Sequence, residues 1–268
     1  MMIAVELVKQ LRRLRTWIAF GFLVGVPVVA GVANKLNPGE SGDGDGPPFA
    51  VATTASGLNH ALASLGFQSV FFLVIVVALF GGETIAGEAN WGTLRYLLVR
   101  PVARRRLLLT KLLVAFLFAT AATFAVTLSG LASGVALFGW KPLQGPLIFT
   151  TSQGEALYGL TLSTVYVVGA MLPILTFGLM LSTMTDIPAG AIGGAFGLSI
   201  VSQILDAISG LGPIRYALPT HYTTAWINLF FPIDDPFEMV RGTMLHLAYA
   251  LVFLGVALWW FQRKDVLS

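Results

Sequence analysis

Long apolar runs, separated by short basic or Gly/Pro-rich breaks, constrain this chain more than any other feature. A helix needs about 20 mainly apolar residues to cross the hydrocarbon layer of a bilayer. Six runs, near 17–33, 62–84, 107–138, 157–182, 188–208 and 243–261, reach or approach that length. Only 11% of the residues are charged and 56% are hydrophobic, whereas an ordinary soluble domain carries about a quarter charged residues. The fold class expected is an all-α polytopic membrane protein with six transmembrane helices, forming a single domain over 1–268. The third run exceeds what a bilayer requires, so it should tilt or project beyond it.

The basic residues read as topology signals and not as a nucleic-acid patch, because they sit between the apolar runs. With a cytoplasmic N-terminus, twelve Lys and Arg residues fall on the inner side, among them Lys9, Arg13, Arg104 and Lys111. Only Lys35, Lys141, Arg215 and Arg241 fall outside. The bias of short loops therefore predicts a cell-membrane protein with both termini cytoplasmic. Lys9, Arg12, Arg13 and Arg15 precede the first run without a small-residue cleavage site, so that run is expected to be retained. Ile3, Leu7, Val8, Leu11 and Leu14 recur at helical spacing opposite Glu6, Lys9, Gln10 and Arg13. This predicts an interfacial helix over 2–15.

Two connections carry character of their own. The Gly- and Pro-rich loop 37–48 contains Asp43 and Asp45 but lacks the ligand set of a calcium loop. The stretch 210–241 is broken by Pro213, Pro219, Pro232 and Pro236. It is too apolar for a free linker, with Trp226, Leu229, Phe230, Phe231 and Phe237, and predicts short interfacial or re-entrant helices between spans five and six.

The informative segment lies between the second and third runs, within 86–106. Thr93 can cap a short helix starting at Leu94, and Pro101 disfavours helical geometry at Arg100. Leu94, Leu97 and Leu98 would form one apolar strip on it, which needs a membrane surface or a protein to cover it. Glu88, Gly92-Thr93-Leu94, Leu97-Leu98, Pro101-Val102, Arg104 and Lys111 together resemble the signature of ABC-2-type permeases. The resemblance implies a coupling helix that docks on a nucleotide-binding subunit. It also implies two membrane subunits, expected to be identical, assembled with two ATPase subunits that carry ATP and Mg. Taken singly, Glu88 also reads as a solvated charge or a partner of Arg95, and Arg104, Arg105 and Arg106 as inner-side anchors near anionic lipid.

Polar groups inside the apolar runs stand out: Gln68 and Ser69 in the second, Ser199, Ser202 and Gln203 in the fifth. The resemblance implies that these two spans border the translocation route, which makes Gln68, Phe72, Phe196 and Gln203 the substrate-route candidates; packing between helices is the alternative. Gly190, Gly193, Gly194 and Gly197 predict close helix contact, within one subunit or between two. Glu83 is expected at a hydrated helix end, and Asp206 beside Arg215. No metal site is expected from His60, His221 and His246, which are far apart.

The chain has no glycine-rich phosphate loop and no cysteine. It is therefore expected not to be an enzyme itself, with ATP hydrolysis left to a separate subunit. The function these readings point to is the permease subunit of an ATP-driven exporter, working by alternating access on an apolar or amphipathic drug, antibiotic, peptide or lipid. An ion-coupled secondary transporter and a permease exporting a small cation are the alternatives.

Overall fold

The computed structural model describes residues 2–36, 53–93, 103–144, 152–230 and 237–264. Among them the regular elements are helical: α1 (Met2–Leu11), α2 (Leu14–Leu36), α3 (Gly57–Val70), α4 (Phe72–Gly82), α5 (Ala86–Asn90) and α6 (Arg104–Phe138). They continue as α7 (Gln153–Ala170), α8 (Leu172–Met184), α9 (Pro188–Ala207), two 3₁₀ segments at Ser209–Ala217 and Ala225–Leu229, and α10 (Glu238–Arg263).

Among the described residues five helical stretches are long and apolar enough to cross a membrane: Leu14–Leu36, Arg104–Phe138, Gln153–Met184, Pro188–Ala207 and Glu238–Arg263. α3 and α4 meet that criterion only as a pair, bent by 48°. The apolar pattern predicts one straight span through this region. The backbone instead leaves the helix at Phe71, with φ −129° and ψ −71°, and restarts at Phe72.

The 35-residue α6 runs beside α2 and α3 and forms the spine of the bundle. Its approach to α3 depends on small residues, since a Cβ on Gly134 would lie 2.6 Å from the Gly57 carbonyl oxygen. α8 packs between α4 and α10, and α9 closes the other side of α4. Between these helices lies a core of Leu58, Leu65, Val77, Ala122, Val126 and Trp226, each nearly or wholly buried. The outer faces are apolar as well: Trp17, Ile18 and Val29 on α2 and Met244, Leu251 and Val252 on α10 are exposed. A helix apolar all round belongs in lipid and not in water.

α1 is amphipathic, as its pattern predicts, but its polar face is turned inward. Ile3, Val5, Val8 and Leu11 are exposed, while Gln10 is buried and Lys9 and Glu6 reach ion-pair partners on α5 and α6. The connection after α9 departs from a surface position. Trp226 is completely buried, and the Tyr166 hydroxyl of α7 donates to the Tyr222 carbonyl at 2.7 Å. Residues 219–230 are thus held against the bundle by side chains from α7 and α9, whereas Ser209–Ala217 contains no buried residue. Phe231 lies outside the described residues.

Candidate functional site

Two polar constellations lie at opposite ends of the bundle. The first surrounds Glu88. α5 has no side-chain cap of its own; the Ser182 hydroxyl oxygen on α8 accepts from the amides of Ile85 and Ala86, both at 2.8 Å. At the other end, Gly92 takes φ +66°, a left-handed conformation in which glycine has no Cβ to clash. Thr93 N then donates to the Glu88 carbonyl at 3.0 Å and Gly92 N to that of Ala89 at 2.9 Å, the two bonds of a Schellman cap. Five residues of helix are thereby fixed at both ends, and Glu88 is aimed into the protein.

Glu88 is only 3% exposed. Its carboxylate accepts from Lys9 of α1, from Lys111 of α6 at 2.9 Å and from the Thr93 hydroxyl at 3.0 Å. Lys111 also reaches Glu6 at 3.0 Å. Burial pushes the Glu88 carboxyl upward, but the charges and hydrogen bonds of Lys111 and Lys9 outweigh it and hold the pKa at about 2. Of the readings that Glu88 has when taken singly, the solvated charge gives way to a buried ion-pair centre, with Lys9 and Lys111 as its partners. Glu83 is likewise not at a hydrated helix end: it is 5% exposed and pairs with Arg13, at 3.3 Å, and Arg15. Two carboxylates thus tie α1 and the start of α2 to the α4–α5 turn.

The other residues of that motif divide. Arg104 donates to the carbonyls of Phe261, Gln262 and Lys264, the last at 2.7 Å, and so caps the end of α10. Thr93 closes α5, whereas the expected helix with Leu94, Leu97, Leu98 and Pro101 lies outside the described residues, as does Arg95.

The second constellation is a cavity of about 270 Å³. On one side are Ser69, Val70 and Val74, which straddle the α3–α4 break, and on another Met171 and Ile174, which straddle the α7–α8 junction. α9 adds Ser199, Gln203 and Asp206, and the connection closes the outer side with Arg215, Thr220 and His221. The α3–α4 break stands 14 residues from one end of the pair and 11 from the other, or about 20 and 16 Å at 1.5 Å per residue. The cavity therefore runs from these breaks, near the middle of their helix pairs, to the end of α9, where Asp206 is the second-last residue. Irregular backbone in mid-span is tolerated where it is packed in protein or lines a cavity.

The last carbonyls of a helix lack intrahelical donors. Here the Val70 carbonyl receives the Gln203 side-chain amide at 3.1 Å, and the same amide reaches Ser199 Oγ at 3.0 Å. Asp206 lies 3.4 Å from Arg215 Nε, the pairing its sequence position predicts, and also bonds His221 Nδ1. Ser202 and Thr220 share a 2.6 Å hydroxyl contact beside it.

Of the four route candidates, only Gln203 lines this cavity. Gln68 answers a different need. Pro27 has no N–H for the Leu23 carbonyl one turn earlier in α2, and Gln68 Nε2 donates to that carbonyl at 3.2 Å. Phe72 stacks edge-on with Phe22 at 4.8 Å, and Phe196 with Phe71 at 5.6 Å, forming an aromatic row from α2 to α9. Along α9, a Cβ on Gly194 would meet Leu181 at 2.5 Å, whereas one on Gly190, Gly193 or Gly197 would meet nothing within 4 Å. Close packing inside the subunit thus accounts for one glycine of the four.

Apolar helices of spanning length, a broken helix pair and a polar cavity between them define an α-helical membrane protein. The chain belongs to the family described as "Protein of unknown function (DUF2705)", whose model matches residues 47–267. No curated protein matches it. The matched range holds the cavity and the Glu88 motif; α1, with Glu6 and Lys9, precedes it.

Proposed function

We propose that this chain is the membrane-spanning subunit of an ATP-driven exporter, with α3 and α4 serving as one broken span and so giving six spans in all. The observation that carries the transporter reading is the cavity with polar groups that extends from a broken helix and a helix junction to the end of α9. Discontinuous helices whose freed backbone groups face a cavity are a recurring way to build a solute site inside a bilayer. The ATPase partner rests on the resemblance of the Glu88–Lys111 segment to ABC-2-type permeases. In this reading the loop after Thr93 docks on a nucleotide-binding subunit, ATP and Mg are held there, and two copies of the chain face each other. Glu88, bonded to α1 and α6, ties α5, the N-terminal helix and the longest span together just ahead of that loop. The charge bias of the loops keeps both termini in the cytoplasm of a cell-membrane protein. Of the apolar or amphipathic cargo expected, the amphipathic kind suits this cavity better, because hydroxyl, amide and charged groups line it beside Val74, Met171 and Ile174.

The test is co-purification from the native membrane. The tagged chain should bring down an ATPase and, in proteoliposomes, support ATP-dependent transport. Leu97→Asp with Leu98→Asp should release that ATPase without loss of the chain from the membrane, since charge in an apolar contact is strongly unfavourable. The control Asp43→Ala should retain it. Retention of binding and transport by the double variant would remove this loop from the mechanism.

One observation favours a second reading, an ion-coupled transporter: Asp206 and His221, both titratable, face a cavity at broken helices. Uptake or efflux driven by an imposed ion gradient without ATP would decide for it.

A further inference from the structure

The geometry points to a small zwitterionic solute of amino-acid size as the occupant of this cavity, its carboxylate held by Arg215 and its ammonium by Asp206. The inference rests on the transporter reading of the cavity and names the class of solute.

Asp206 and Arg215 approach each other loosely. The 3.4 Å separation is an ion contact, and Arg215 Nε, although buried, has no hydrogen-bond partner among the described residues. A buried donor without an acceptor costs about 1–3 kcal/mol. A carboxylate in the guanidinium fork would satisfy it with two parallel bonds, the strongest arrangement open to that pair. The side chains are also not sealed off: Arg215 is 32% and Asp206 25% exposed.

Charge balance selects the ligand. Among the described residues the cavity carries one carboxylate and one permanent cation, with His221 bonded to the carboxylate. A solute of net charge would leave an uncompensated charge in this partly buried site, which is unfavourable. A zwitterion adds one charge of each sign and keeps the site neutral.

Size and lining agree. A volume of about 270 Å³ lies just under the range of drug-sized pockets, about 300–1,000 Å³. Thr220, Thr223 and Thr224 offer hydroxyls on the side of the connection, and Val74 and Ile174 give an apolar wall for a short aliphatic group.

The experiment is calorimetric titration of the purified full chain in lipid nanodiscs, without any ATPase. The probes are a panel of α-amino acids and γ-aminobutyrate, with propylamine and propionate as singly charged controls. At least one zwitterion should bind saturably, the singly charged probes at least tenfold more weakly. Arg215→Gln and Asp206→Asn should each weaken zwitterion binding at least tenfold. The comparison among probes needs no variant, so a variant that fails to fold does not obscure it. The inference is overturned if no zwitterion binds the native chain, if propylamine or propionate binds as tightly, or if a folded Arg215→Gln binds unchanged. Because no ATPase is present, failure here leaves the coupling experiment intact, and failure of coupling leaves this binding result intact.

Discussion

Glu88 illustrates how one residue can hold several elements. Its carboxylate gathers an ammonium from α1 and another from α6, on a five-residue helix capped by a hydroxyl from α8. Removing one member of a buried pair leaves a charge without compensation and costs about 3–5 kcal/mol. Lys111 is 4% exposed and keeps only Glu6 as a counter-charge, while Lys9 at 38% recovers much of its hydration. Glu88→Gln and Lys111→Met should therefore each lower the unfolding temperature clearly, and the double substitution should cost less than their sum. The carboxyl is held at about 2 against an ordinary 4.5, so its contribution is complete above pH 4.5 and lost as pH falls toward 2. Thermal unfolding in one detergent at neutral pH and through that window measures both; strict additivity would mean the three charges are not coupled. None of these pairings is legible in the sequence. Lys9 and Lys111 stand 79 and 23 positions away from Glu88, and no local pattern marks such partners. Gln203, Ser199 and Ser69 are legible, since a polar group within an apolar run is conspicuous. Asp206 and Arg215 are legible as neighbours along the chain; His221 is not, because only the folded connection brings it to the same carboxylate.

At the scale of elements, the sequence marks spans well and breaks poorly. Five runs match observed helices closely, because twenty apolar residues in succession have few other uses. The interruption at Phe71 carries no proline or glycine between Phe67 and Leu79, so no local signal announces it. It is stabilised from outside: Phe71 packs edge-on against Phe196, and Gln203 supplies a donor to the carbonyl left open at Val70. Pro27, by contrast, is visible in the sequence, and Gln68 answers it in the same manner. Each glutamine is thus a substitute for a missing backbone amide. Gln203→Leu should leave the Val70 carbonyl unsatisfied and destabilise the chain by about 1–3 kcal/mol. Thermal unfolding of wild type and variant in the same detergent measures it. An unchanged transition would show that water replaces the amide and that the break does not depend on α9.

For the whole molecule, the proposed pairing of two copies needs a face on which they could meet. The sequence marks four glycines on α9 as a contact surface without saying what they touch. The fold separates them: Gly194 is backed by Leu181, whereas a Cβ added at Gly190, Gly193 or Gly197 would have nothing within 4 Å. Their stripe adjoins the partly exposed row of Phe22, Phe67 and Phe71 at 48%, 60% and 40%, and small residues on a helix allow another backbone to approach closely. If that approach is a second subunit, Gly193→Leu and Gly197→Leu should leave the subunit's own unfolding temperature unchanged while reducing the dimer, because the added side chains collide only across the interface. Gly194→Leu should do the reverse first, striking Leu181 and lowering stability within one chain. Light scattering of the detergent-solubilised chain, combined with thermal unfolding, separates these effects. A dimer that persists in both Gly193→Leu and Gly197→Leu would show that lipid covers this stripe, and the proposed subunit contact would then belong to another face of the bundle.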